Sequence, residues 1–169
     1  EARGTRVIIE NGRAVGLDDG FTVLDRSDVE SMFGMVRSDL GYARGRTRFP
    51  RKETIASIYS RVVNAQHPLG ETLDERFPWC ATHADALAAV FTEYTERKRS
   101  TNTIDYDDLL VFWRALMASD AAGAVRYQFD HVLVDEYQDT NRLQADILEA
   151  LCGFDGNLTV VGDDAQSIY

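Results

Sequence analysis

Two short apolar runs bracketing a helical stretch constrain this chain more than anything else in it. They are FDHVLVDEYQDTN (129–141) and LTVVGDD (158–164). Neither alternates polar with apolar residues, the pattern of parallel strands covered on both faces. Between them, residues 141–151 place Leu143, Ile147, Leu148 and Leu151 on one side of a helix, with Asp139 or Thr140 as its cap. Residues 153–157 read as a turn. Strand, helix and strand of this length close as a right-handed parallel crossover, so an α/β fold is predicted. In open sheets of that kind, ligands bind beyond the carboxyl ends of the strands. Asp135-Glu136 and Asp163-Asp164 fall at those two ends.

Crowded carboxylates cost energy unless a cation or a chemical task compensates. Mg²⁺ takes oxygen ligands, keeps several waters, and is held by one or two carboxylates plus substrate phosphates. Asp135 suits the metal. Glu136, on the other side of the pleat, is then free to orient and deprotonate an attacking water. That division of labour belongs to a nucleoside-triphosphate hydrolase. The plainer alternative is an acid-rich loop that caps the next helix and faces water, with Asp139 contributing. A metal-dependent nuclease is a weaker one, because no third acid or histidine stands at a suitable spacing.

The residues ahead of this unit are helical in pattern. Ser27 with Glu30 reads as a capping box, followed by Val29, Met32, Phe33, Val36 and Leu40 up to Gly41. Ile55, Ile58, Tyr59 and Val62 mark a second helix to about Gln66. HPLGETLDERFPWC is a connection with one short helix, and Leu87, Val90, Phe91 and Tyr94 mark a third, ending in the charged ERKRS. Asp105, with Asp108 three residues on, caps a fourth helix carrying Leu109, Leu110, Phe112, Trp113 and Leu116. These aromatic positions read as core.

Net charge is −10, which by itself points away from nucleic acid. Its distribution is uneven. Residues 1–61 hold 11 Lys/Arg against 9 Asp/Glu, whereas residues 62–169 hold 7 against 19. The stretch YARGRTRFPRK (42–52) has Arg44, Arg46, Arg48, Arg51 and Lys52 without an acid, which makes it either a solvated turn or a phosphate contact. No apolar run approaches the ~18–20 residues of a membrane span. Cys80 and Cys152 lack metal or disulfide spacing and read as reduced, cytosolic, structural thiols.

DEYQDTN (135–141) and VVGDDAQSIY (160–169) resemble motifs II and III of the UvrD/Rep/PcrA family of superfamily 1 DNA helicases. TIDYDDLL (103–110) looks like the family's return from a helical insertion to the motor. GLDDGFTVLDRSD, FPRKETIASIYSRVVNAQ and FPWC are similar to that insertion. The resemblance covers most of residues 14–169. It implies a partial RecA-like P-loop NTPase motor over 104–169, with Walker B and motif III, and a mostly α-helical insertion subdomain over 1–103, the first ~13 residues matching poorly.

Position by position, the resemblance implies Mg²⁺ on Asp135, water activation by Glu136, and γ-phosphate sensing by Gln166. It implies base stacking on single-stranded DNA by Tyr169, for which a core role is the alternative. Arg44, Arg46 and Arg48 become contacts to duplex DNA near a junction. The cofactors implied are ATP and Mg²⁺, the polarity 3′ to 5′, and the setting a bacterial cytoplasm in association with the nucleoid, in repair or replication. No GxxxxGK[ST] phosphate loop occurs in these residues. In the family it precedes the insertion, and a second motor domain follows motif III. The chain is therefore expected to be a fragment, inactive on its own. A non-catalytic DNA- or protein-binding module of the same shape is the alternative.

Overall fold

The computed structural model describes residues 2–18, 20–43, 49–153 and 156–163. Helices and short parallel strands make an α/β chain that packs as two units, residues 20–108 and residues 1–19 with 109–169. The sequence expectation set one break, at 103/104. By packing, the breaks fall at 19/20 and 108/109.

Helix α1 (Ala2–Asn11) opens the chain, with Val7 and Ile8 buried, and leads into a 3₁₀ turn over Gly12–Val15. In the 20–108 unit, strand β1 (Thr22–Leu24) runs directly into α2 (Arg26–Asp39). The cap of α2 is Asp25, whose Oδ1 accepts from the Asp28 N–H at 2.8 Å. Ser27, the predicted cap, lies inside the first turn, because the strand delivers Asp25 in the extended conformation a cap requires. The far end closes with Gly41 in the left-handed region (φ +80°). Tyr42 N–H donates to Arg37 O and Gly41 N–H to Ser38 O, satisfying two terminal carbonyls.

α3 (Lys52–Ala65), α4 (Leu69–Arg76), a 3₁₀ segment (Pro78–His83) and α5 (Ala84–Ser100) follow. Their apolar stripes meet α2 in one core containing Phe33, Val36, Ile55, Ile58, Leu87 and Val90. Phe33 stacks on Tyr94 with ring centroids 4.0 Å apart, and Tyr59 and Phe91 meet Phe33 edge-on. Offset and edge contacts of this kind add to the burial of the rings.

β2 (Thr103–Asp105) pairs in parallel with β1, Val23 opposite Ile104. This small sheet was not foreseen. α6 (Tyr106–Met117) starts on a reciprocal cap: Asp108 N–H donates to Asp105 Oδ1 at 2.8 Å, and Asp105 N–H to Asp108 Oδ2 at 2.9 Å.

Against that cap lies a buried ion cluster. Lys98, only 3% exposed, puts its Nζ 2.7 Å from Asp105 Oδ2 and 2.5 Å from Asp108 Oδ2. The ammonium also sits 4.6 Å from the Tyr94 ring centroid, and Tyr94 Oη donates to Asp105 Oδ2 at 2.7 Å. Burial pulls the Lys98 ammonium down. Asp105, the Tyr59 hydroxyl and Asp108 outweigh it and hold the group above the usual lysine value. Asp108 is pushed up by burial and then by its neighbour Asp105. The charged ERKRS end therefore contributes a core cation, Lys98, at the position one turn beyond Tyr94 on the buried face.

In the other unit α7 (Ala122–Arg126) precedes β3 (Val132–Val134), α8 (Arg142–Cys152) and β4 (Leu158–Val160). β3 and β4 pair in parallel, Val132 opposite Leu158 and Val134 opposite Val160, as predicted. The cover expected on both faces is not present within the described residues. Leu133 is 76% exposed and Val160 46%, and each strand is only three residues long. The α8 cap is Asn141, not Asp139 or Thr140. Its Oδ1 accepts from the Gln144 N–H at 2.9 Å, and Asn141 N–H donates to Gln144 Oε1 at 3.0 Å. No helix among the described residues is long and apolar enough to cross a membrane.

Candidate functional site

The site grows from the end of β3. Asp135 follows Val134 directly, exposed, with its Oδ1 accepting from the Glu136 N–H at 2.9 Å. Glu136 then adopts the left-handed conformation (φ 53°, ψ 42°), a placement that costs a non-glycine residue about 1–2 kcal/mol. The two carboxylates are thus separated by a backbone reversal, where the sequence suggested alternation along a pleat. A 3₁₀ turn over Tyr137–Asp139 completes the bend.

Bonds to the chain leaving β4 hold that bend in place. Val161 N–H donates to Val134 O at 2.8 Å, and Tyr137 N–H donates to Val161 O at 3.0 Å. Asp163 N–H donates to Gln138 Oε1 at 3.0 Å, while Gln138 Nε2 donates to the Glu136 carboxylate. Asp139 N–H closes on Glu136 O at 2.9 Å. The ends of the two strands therefore meet, as the acid spacing suggested, and Asp163 stands beside the Asp135–Glu136 turn.

A cavity of about 500 Å³ opens on this turn. Leu110, Trp113, Ile147 and Leu148 form an apolar wall, and Asp135, Glu136 and Asp139 supply the charge. Arg114 on α6 lies 3.5 Å from Asp146 on α8, joining the two helices that line the cavity. An exposed carboxylate with one oxygen engaged by a backbone N–H leaves the other for a hard cation. This donor set fits Mg²⁺, which needs one or two carboxylates and fills the rest of its shell with water and phosphate.

Gln166, Tyr169, Asp164 and the arginines Arg44, Arg46 and Arg48 lie outside the described residues. Gln138, which the sequence analysis did not single out, makes two of these bonds. Its signal was spacing: two residues after Glu136 in a tight turn, a glutamine can reach back.

The fold and site define an α/β chain with an acid-bearing turn where two parallel strands end. The family model for the UvrD/REP helicase N-terminal domain matches residues 2–169, including the first residues that had looked unlike the family. The ATP-dependent DNA helicase PcrA of Leuconostoc citreum is 32% identical over 170 residues, 99% of this chain and 22% of its own length. UvrD1 of Mycobacterium tuberculosis is 34% identical over 175 residues, 96% of this chain and 22% of its own. ATP-dependent DNA helicase Rep of Buchnera aphidicola is 39% identical over 85 residues, 49% of this chain. The chain belongs to the UvrD/REP helicase family, and it spans about 22% of the length of the first two of these relatives.

Proposed function

We propose that this chain is part of an ATP-dependent DNA helicase that moves 3′ to 5′ on single-stranded DNA and opens duplex junctions in repair or replication, in the cytoplasm at the nucleoid. The turn at the end of β3 carries this reading: it presents two acids at a strand end beside a second parallel strand. Residues 104–169 act as part of a RecA-like motor, and residues 1–103 as its mostly helical insertion. Asp135 holds Mg²⁺, which when bound neutralises phosphate charge. Glu136 takes the proton of the attacking water, Gln166 senses the γ-phosphate, and Tyr169 stacks on a base of the single strand. Stacking suits a motor, since every base offers a π-face.

Hydrolysis needs the phosphate-gripping loop and the second motor domain, which these residues do not supply. The full-length protein is expected to hydrolyse ATP in response to single-stranded DNA and to separate strands. The 169-residue chain alone is expected to do neither, and turnover by it at the full-length rate would sink the proposal.

The basic loop supplies duplex phosphate contacts through Arg44, Arg46 and Arg48. Replacing all three in the full-length protein should flatten the salt dependence of duplex binding, by up to about 0.9 in log–log slope for each phosphate no longer neutralised. An unchanged slope in a salt titration would return the loop to an ordinary solvated turn.

A further inference from the structure

We infer that Gln138 is a positioning residue for Glu136, and that it ties the orientation of that carboxylate to the backbone leaving β4. The inference rests on the role proposed for Glu136. Gln138 makes two side-chain bonds of opposite sense. Its Oε1 accepts from the Asp163 N–H at 3.0 Å, and its Nε2 donates to the Glu136 carboxylate. A backbone N–H requires an acceptor and a carboxylate requires a donor, so only one orientation of the amide satisfies both.

Among the described residues this amide is the donor that the Glu136 carboxylate has. An exposed glutamate has three rotatable bonds and samples many positions unless something holds it. A general base works only within hydrogen-bond reach of its proton, so the restriction bears directly on rate. The main chain of Glu136 is held by the left-handed turn, and Gln138 adds the restraint on its tip. The side-chain amide in effect continues the β3–β4 pairing past the strand ends, after the Tyr137–Val161 bond. A shift of the backbone at Gly162–Asp163 therefore reaches the carboxylate through a single side chain.

Gly162 is part of the same device. A Cβ there would lie 2.8 Å from Gln138 Oε1, closer than such atoms approach. The obstructed atom is the tip of a flexible side chain. Gly162→Ala is therefore relieved by swinging the amide away, with little cost to the fold.

The test uses the full-length protein with Q138M, G162A and the double variant. Methionine keeps the length of glutamine and removes both polar arms. Q138M and G162A should each lower kcat of DNA-stimulated ATP hydrolysis about tenfold or more. KM for ATP should stay within about twofold, and the unfolding temperature within about 2 °C. The double variant should be no worse than Q138M, since both changes cut one tether. Wild-type kcat in Q138M, losses that multiply in the double variant, or a loss confined to KM would overturn the inference. Crystal structures of wild type and Q138M give a readout independent of turnover. A Glu136 carboxylate in the same place in both overturns the inference, and a displaced one supports it. An inert wild type would refute the proposed function instead, leaving the crystallographic comparison to decide the tether.

Discussion

Glu136→Gln in the full-length protein is expected to lower DNA-stimulated ATP turnover by about 10²–10⁴-fold while sparing nucleotide binding, because it removes a proton acceptor and little else. The variant amide keeps the shape of the side chain, and its oxygen can still accept from Gln138 Nε2. The left-handed turn has no reason to change, since it is held by main-chain bonds from Tyr137 to Val161 and from Asp139 to Glu136. Steady-state hydrolysis together with binding of a fluorescent ATP analogue separates the two effects. Turnover within about threefold of wild type would remove Glu136 from its proposed role.

The second large effect concerns the fold. Lys98→Met should destabilise the 20–108 unit by about 3–5 kcal/mol, the range for breaking a buried pair by deleting one partner. Asp105, 2% exposed, and its neighbour Asp108 would be left facing each other with, among the described residues, the Tyr94 hydroxyl and backbone N–H groups as donors. Urea unfolding of the full-length protein and amide exchange within α5 would register the loss, and unchanged protection of those amides would refute it.

The pH dependence has a definite sign. The Lys98 ammonium is held above its ordinary value of 10.5, so its contribution is complete below that pH and lost as pH rises through the higher folded value. Wild-type stability should therefore fall in strong alkali, and the Lys98→Met protein should lose only the Lys98 share of that fall, because buried Tyr94 and Tyr59, also held above their ordinary value, contribute the rest. The deficit of the variant should shrink in acid, where Asp108, already pushed up by burial, takes a proton.

The larger pieces of this architecture were readable in the sequence because their signals are periodic. Leu87, Val90 and Tyr94 announced α5, and the unbroken VLV and LTV runs announced a parallel pair. What escaped detection was short or depended on distant partners. β1 and β2 are three residues each, too brief for any period, and each acquires meaning only through the other. Asp25 displaced Ser27 as a cap because a strand no pattern revealed ends just before it. Lys98 sits in a run of charges that looks solvated, and only its place one turn after Tyr94, facing acids seven and ten residues later, shows it to be buried.

At the site, the identity of the acids was legible and their geometry was not. Nothing in DEYQDTN announces that Glu136 takes positive φ, since left-handed glutamate is decided by what the turn must reach. The exposure of β3 among the described residues was likewise not legible. An apolar run reports what a strand prefers to touch, and among the described residues Leu133 remains 76% exposed.

The pairing of Thr22–Leu24 with Thr103–Asp105 has a consequence for how such a protein can diversify. The chain enters and leaves the 20–108 unit through adjacent parallel strands, like a drawer whose two runners share one slot. Everything housed between those strands can lengthen, shrink or be exchanged while the doorway keeps its width. New surfaces can thus be tried out in evolution without disturbing the acids at the end of β3.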